Sequence, residues 1–292
     1  MTTKNALIGL WAHASIHAGA GSSVDGVDLP IQREGHSAWP CIFGSSVKGA
    51  LRAKAEDKLG KEGKQSIAFV FGPDSSSDKT SEHAGALLVS DAKLLLLPVR
   101  SLTSHFKWVS CPALLQRLHR DALRLGLTWA DTTTEPANED TAIVANEGTP
   151  DLFLEEYRFK TQFQDLTVLC ELINQLTGIA VTDLTKQLVI VSNNQFNYLA
   201  KYATPVTPHI AINNETKTVK TGALWYEETL PPETVLYFAL SAHRSRAKDT
   251  DVKAEQILKS ITQDLFGESP YLQVGGNETV GMGWCKVTVV EA

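Results

Sequence analysis

Cysteine is scarce in this chain and never clustered. The four residues, at 41, 111, 170 and 285, form no Cys-x-x-Cys pair. A zinc ribbon and a thioredoxin-type redox motif are thereby excluded, and the four read as reduced cytosolic thiols. Long apolar runs are also missing. The densest patch, Leu94 to Val99, is strand-sized, far short of the ~18 residues a membrane span needs. Residues Met1 to Asn5 are polar and lack an apolar leader, so a cytoplasmic protein with no membrane partner is expected. No Gly-x-Ser-x-Gly elbow and no Gly-x-x-x-x-Gly-Lys-Ser/Thr loop occurs, which removes the elbow-type hydrolases and the P-loop nucleotidases. What remains is 292 residues, 43% hydrophobic and 21% charged. That is ordinary globular composition, enough for one large domain or two average ones.

The net charge of −6 argues by itself against a polyanion partner. The distribution of that charge points the other way. Residues 131–156 hold eight acids and no lysine or arginine, and without them the other 266 residues carry +2. A near-neutral body can still present a basic groove, so a nucleic acid is allowed. The plainer reading of 131–151 itself is a solvated surface loop or lid.

Hydrophobic periodicity outlines the elements. Residues 6–17 alternate as a strand, with Ala6, Ile8, Leu10, Ala12, Ala14 and Ile16 on a buried face and Trp11, His13, Ser15 and His17 on an available one. Gly44-Ser45-Ser46 opens a helix to about Leu59, striped by Val47, Leu51 and Ala55, with Ser45 or Ser46 as N-cap. A short strand is expected at 68–71, a polar loop at 74–83, strand at 85–99 with a break near Ser90-Asp91, and helix from Pro112 to Leu125. Residues 164–190 read as helix then loop, 204–225 as a projecting hairpin turning at Asn213-Asn214, and 235–242 as a buried strand. A helix at 252–265 precedes two strands flanking a glycine loop. The pattern predicts an α+β fold with helices on one side of a mostly antiparallel sheet, for which a ferredoxin-like or RNA-recognition-like core is the natural candidate.

Three segments can carry chemistry. In the first, Lys48 lies in the first turn of the helix behind Ser45 and Ser46, with Arg52 one turn on. A cation at a helix start opposes the dipole unless an anion visits. The plainer alternative is an N-cap beside a solvated lysine. The second segment, Gly275 to Gly283, has four glycines in nine residues and lets backbone approach a ligand closely; taken alone, a long hairpin loop is the plainer reading. No helix follows it, so it is no dinucleotide fingerprint. The third runs from Asp25 through Asp28 and Arg33 to Glu34, with His17 upstream and His36 beyond. Carboxylates beside glycines can hold a hard divalent cation or act as a base on a ribose; Asx-turn residues are the alternative. His13 and His17 are too far apart along a strand to share one ion.

These segments, in this order, resemble the RAMP superfamily of CRISPR effector proteins, and within it the repeated backbone subunit of type III-B (Cmr) complexes. The resemblance rests on Val27 to Glu34, Ile42 to Arg52, Phe71-Gly72-Pro73, His83 to Leu87, Pro98 to Ser101, Gly222 to Glu228 and the Gly275 to Gly283 loop. It covers about residues 7–288 as a single domain, with the acidic insertion near 131–156 unmatched. It implies an RNA-recognition-like palm with large insertions and a thumb hairpin at about 204–221. Copies stack head to tail in a helical filament along one CRISPR RNA, beside other Cmr subunits. Target single-stranded RNA is cut at regular intervals with Mg²⁺ (or Mn²⁺). The catalytic, metal-holding aspartate of the family falls on Asp28, and His17 is an auxiliary acid–base candidate.

Ser45, Ser46, Lys48, Arg52 and the loop residues Gly275, Gly276, Asn277, Thr279, Gly281 and Gly283 would cradle the guide, Arg33 would neutralise phosphates, and His209 and Lys217 would contact RNA from the thumb. Met282 stands where a basic residue is expected, and Thr207 to Ile210 is poor in arginine. A non-catalytic guide-binding scaffold of type III-A or III-B kind is the main alternative; a small-molecule phosphate enzyme is a remote one. The guide-binding reading predicts that Lys48→Ala weakens CRISPR RNA binding and flattens the slope of log K against log salt by about 0.7, one phosphate contact on a single strand. Filter binding across a salt series checks this.

Overall fold

The computed structural model describes residues 3–21, 26–73, 83–148, 151–247 and 250–292. Asp25 and residues 74–82 of the serine-rich loop lie outside them. In chain order the elements are β1 (Lys4–Ala12), β2 (Cys41–Ile42), α1 (Gly44–Leu59), α2 (Lys64–Phe71), β3 (Leu87–Val89), β4 (Ala92–Arg100), β5 (Phe106–Ser110) and α3 (Pro112–Leu125). Next come β6 (Thr141–Val144), β7 (Leu152–Leu154), β8 (Tyr157–Phe163), α4 (Thr167–Thr177), α5 (Val181–Gln187), β9 (Leu188–Ile190) and α6 (Asn193–Tyr202). The chain ends with β10 (Val206–Ile212), β11 (Val219–Glu228), β12 (Val235–Ala242), α7 (Ala254–Lys259, prolonged by a π-helical stretch to Leu265), β13 (Tyr271–Gln273) and β14 (Trp284–Glu291).

Twelve strands form one sheet in the order β13-β14-β1-β12-β4-β5-β9-β6-β8-β7, with β2 attached to β4 and β3 to β12. All neighbours are antiparallel except β5–β9 and β6–β8. At its centre β1 pairs with β12 from Lys4↔Ala242 to Trp11↔Val235, and with β14 from Ala6↔Glu291 to Ala12↔Cys285. The mixed α+β class is as expected, but the helices are not confined to one side.

Ala6, Ile8 and Leu10 face a core shared with Val47 and Leu51 of α1 and Ile257 of α7. Leu7, Tyr237 and Leu95 face a second core closed by Leu118 of α3 and Ile173 of α4. The available face expected for the first strand is therefore covered. The covering helices come from the long insertion between β4 and β12, which no periodicity within β1 can announce. A sheet buried on both faces needs near-continuous apolar strands, and β4 and β12 have them, every residue from Leu94 to Val99 and from Val235 to Leu240 being buried.

Several local expectations are corrected. The first strand stops at Ala12; of residues 13–17 only Ile16 makes a bridge, to Leu230. Residues 68–71 belong to α2, because Ile67, Val70 and Phe71 bury at helical spacing. Phe43, not a serine, is the N-cap of α1, without a side-chain cap bond. The Gly44 N–H instead donates to Asp91 Oδ1 at 2.7 Å.

The acidic stretch is not all loop, since Thr141–Val144 is a buried strand. Most of its charge is spent internally. Glu139 accepts from Ser192 and Asn194 at the start of α6, Asp151 pairs with Arg158, and Glu155 with Arg100. The hairpin at 204–225 forms as expected, as a separate two-stranded ribbon of β10 and β11. Pro208 opposite Tyr226 and Ile210 opposite Leu224 give it an exposed apolar face.

Gly9 marks where the second layer touches the sheet. A Cβ there would lie 1.8 Å from the Leu176 carbonyl oxygen in α4. Gly9→Ala must push α4 off β1, and we expect it to cost about 1–3 kcal/mol, the usual range for overpacking. Urea unfolding measures this, and an unchanged midpoint would contradict the close approach.

Candidate functional site

The sequence-selected loops converge on the root of the hairpin, where β11 ends at Glu227 and Glu228. Both carboxylates are buried, at 4% and 6% exposure, and adjacent buried acids are tolerable only when partnered. Glu228 accepts from Arg33 Nη2 at 2.5 Å, the Thr204 hydroxyl at 2.7 Å and the Ile31 N–H at 3.1 Å. Arg33 also donates from Nη1 to the carbonyls of Ala38 and Ala200, so its guanidinium is engaged within the protein. Glu227 accepts from Asn277 Nδ2 at 2.5 Å.

Asp28 lies at the edge of this knot and is exposed. Its Oδ2 accepts the Tyr226 N–H at 2.8 Å. The backbone around it is tied to β11 twice, Leu29 N–H to Tyr226 O and Glu228 N–H to Leu29 O, each at 3.0 Å. The carboxylate is thus held in place at the hairpin root while facing solvent. His17 is buried. Its Nδ1–H donates to the Glu228 carbonyl at 2.8 Å, a contact that only a protonated Nδ1 can make, and the same nitrogen is 3.7 Å from Glu227 Oε1.

The glycine loop packs against His17 from the other side. Gly276 N–H donates to His17 O and Gly283 N–H to Ser15 O, both at 2.8 Å. Gly275, at φ +84°, has its Cα so close that a Cβ would stand 2.4 Å from His17 O. Asn277 takes a left-handed φ of +61° to enter a 3₁₀ turn through Thr279, and Thr279 and Gly281 are exposed at the loop tip.

The start of α1 joins the same knot through one residue. Buried Gln32 donates from Nε2 to Ser46 Oγ and Gly19 O, and its Oε1 accepts the Phe43 N–H at 2.6 Å. Ser45 is exposed beside it. Arg52 is held by Glu56 and by the Gly72 carbonyl. Burial lowers the Lys48 pKa from its ordinary value, helped by the like charges of Arg52 and Arg246.

The thumb candidates lie apart from this knot. His209 stacks on Trp225, with centroids 5.6 Å apart and planes at 15°, on the ribbon face opposite Tyr226. Lys217 is in the hairpin turn at φ +56°, roughly 20 Å from the root by strand rise.

At this site Asp28 is an exposed hard oxygen donor. Among the described residues no three His, Cys, Asp or Glu side chains gather to hold a metal ion. One carboxylate fits a Mg²⁺ whose remaining ligands are substrate phosphates and water. A thiol nucleophile has no place here: burial pushes Cys41, Cys111 and Cys285 up to about 12. Glu227, Glu228 and Gln32 were not singled out from the sequence. The signal for the acids is two consecutive carboxylates closing the second strand of the hairpin, which must find buried partners where that strand enters the body.

A sheet carrying loops that close around a glycine-rich C-terminal turn defines a class: the chain belongs to the RAMP superfamily, whose family model matches residues 12–286. It is 38% identical over 296 residues to the CRISPR system Cmr endoribonuclease Cmr4 of Pyrococcus furiosus, covering 99% of this chain and 96% of that one. It is 25% identical over 296 residues to the CRISPR system CMR subunit Cmr4 of Saccharolobus solfataricus, covering 92% and 91%. Its fold matches the crystal structure of oligomeric Cmr4 from Pyrococcus furiosus with a TM-score of 0.73 at 31% identity, covering 100% and 99% of the two chains.

Removing one member of a buried ion pair strands the other. Glu228→Ala should therefore lower the unfolding free energy by about 3 kcal/mol, read from denaturant midpoints. A loss below about 0.5 kcal/mol would mean that Glu228 does not hold the root together.

Proposed function

We propose that this chain is the repeated backbone subunit of a type III-B Cmr complex, binding CRISPR RNA and cleaving complementary target RNA at regular intervals. The exposed yet pinned carboxylate of Asp28 at the hairpin root is the observation that carries the catalytic part. Membership of the RAMP superfamily and 38% identity to a Cmr endoribonuclease support the rest. The four strands β14-β1-β12-β4, antiparallel and joined through α1 and α7, have the order of a ferredoxin-like palm. The β10–β11 ribbon is the thumb, and its apolar face of Pro208, Ile210, Leu224 and Tyr226 suits stacking against a splayed base. Copies of the chain stack along the guide beside the other Cmr subunits.

RNA brings its own nucleophile, the 2′-OH. Attack on the adjacent phosphorus forms the P–O2′ bond and breaks the P–O5′ bond, leaving a 2′,3′-cyclic phosphate, and the departing 5′-oxygen takes a proton from water to become a 5′-OH. The protein must align the 2′-oxygen with the leaving oxygen and stabilise charge. The thumb fixes the nucleotide, and the Tyr226 N–H fixes Asp28, which receives the 2′ proton. Alternatively Asp28 would hold a Mg²⁺ or Mn²⁺, which would supply charge neutralisation at the phosphate. His17 acts by position, its Nδ1–H binding the hairpin root and its backbone holding the glycine loop. Ser45, Ser46, Lys48 and the loop backbone at 275–283 line the guide, and Arg33 braces the loop that carries Asp28.

The Tyr226 bond to Asp28 also favours a second reading, in which Asp28 only shapes a turn and the subunit is a scaffold. Asp28→Asn separates the two, because the amide oxygen still accepts the Tyr226 N–H while the charge is gone. In the reconstituted complex with Mg²⁺ and labelled target RNA we expect binding to persist and cleavage to fall at least about 100-fold. Cleavage by the unmodified complex should stop with EDTA. Full-rate cutting by Asp28→Asn would leave only the scaffold.

A further inference from the structure

A second cationic region lies at the opposite end of the central strands. Lys4 and Ala242 are register partners there, seven residues from the Trp11↔Val235 end that leads to the Asp28 knot, or roughly 23 Å by strand rise. Beyond Ala242 the chain turns around a cleft of about 1120 Å³ lined by Lys4, Arg244, Arg246 and Lys253 against Asp251 and Glu255. Lys4 and Glu255 pair at 2.9 Å, which leaves three cations facing one acid. Arg244 and Arg246 are exposed, and among the described residues neither has a carboxylate within ion-pair distance.

The two arginines are held on an ordered scaffold. Ser245 between them is buried at 7% exposure. Its N–H donates to Val252 O at 2.8 Å, and its Oγ accepts from the Ala247 N–H at 3.2 Å and the Thr250 hydroxyl at 3.1 Å. Like charges are thus gathered on hydrogen-bonded backbone, with Asp251 the one unpaired acid among the described residues that line the cleft. The strand end at Ala242 is tied to the start of α1 through β3: Leu87 of β3 is the register partner of Ala242, and Asp91, two residues past β3, accepts the Gly44 N–H that opens α1. The charge of Arg246 acts on the Lys48 ammonium in that first turn. Guanidinium forks match phosphate oxygens in geometry as well as charge.

We infer that the Arg244–Arg246 cleft is a second phosphate-binding station for the single-stranded RNA backbone held at the α1 start, extending the bound length along the palm. The inference rests on the RNA-binding reading of α1. The test is CRISPR RNA binding by complexes rebuilt with an Arg244→Ala/Arg246→Ala subunit, with Lys48→Ala in parallel, over a salt series. The double variant should flatten the slope of log K against log salt by about 1.4, two lost contacts. The Arg244→Lys/Arg246→Lys version should restore the slope, since it keeps the charge. Both arginines are exposed, so thermal melting should stay unchanged, and the lysine version reports on the site even if the alanine version folds poorly.

A flattened slope for Lys48→Ala with an unchanged slope for the double variant would overturn the cleft and leave the α1 reading standing. Unchanged slopes for both would remove the α1 reading as well. Failed assembly of the double variant, with an unaltered RNA slope for the isolated variant subunit, would make the cleft a contact for a neighbouring protein and overturn the inference.

Discussion

The buried carboxylate of Glu228 is the constraint on which the site depends. Its oxygens gather Arg33, Thr204 and the Ile31 N–H, while its own backbone binds Leu29 and His17. One residue thereby joins the end of β11, the loop carrying Asp28, the segment after β1 and the end of α6. A charge removed from water is costly unless paired and hydrogen-bonded. Glu228 stays where it is because Arg33, Thr204 and the Ile31 N–H all donate to its carboxylate. That requirement fixes Arg33 as a structural cation and sets the position of Asp28 three residues ahead of Ile31. Asp28 itself remains exposed, with the Tyr226 N–H on its Oδ2.

The two-layered covering of the sheet explains why the site sits on loops and not on a strand face. Leu7, Leu95 and Tyr237 are packed under α3 and α4, and Ile8 and Leu236 under the helices of the other side. Neither face of the central strands is free for a ligand. The candidate groups lie at the ends of the strands, Asp28, His17 and the glycine loop at one end, Lys4 and the segment after β12 at the other.

Elements whose pattern is local were legible in the sequence. The stripe of α1, the proline-started α3, the Asn213-Asn214 hairpin, the buried run of β12 and the glycine loop all stand where periodicity and turn chemistry place them. Reading failed where the answer lay in distant residues. Phe69 and Val70 are β-formers by type, yet the burial of Ile67, Val70 and Phe71 draws them into a helix. Leu7, sandwiched between Ala6 and Ile8, was itself a sign that β1 is covered on both faces, but the helices that cover it come more than a hundred residues later. The glycines and Asp28 were visible as candidates because their chemistry is unusual for a loop. Glu227, Glu228 and Gln32 were not, because their significance lies in partners from elsewhere in the chain.

The β10–β11 ribbon stands as a two-stranded sheet of its own, joined to the body where Leu29 and Asp28 bond to residues 226–228. A lone two-stranded ribbon is only marginally stable in water, so its orientation is set where it joins the body. The Tyr226 N–H that binds Asp28 Oδ2 belongs to that junction. Any swing of the ribbon about its root therefore carries the Asp28 carboxylate with it.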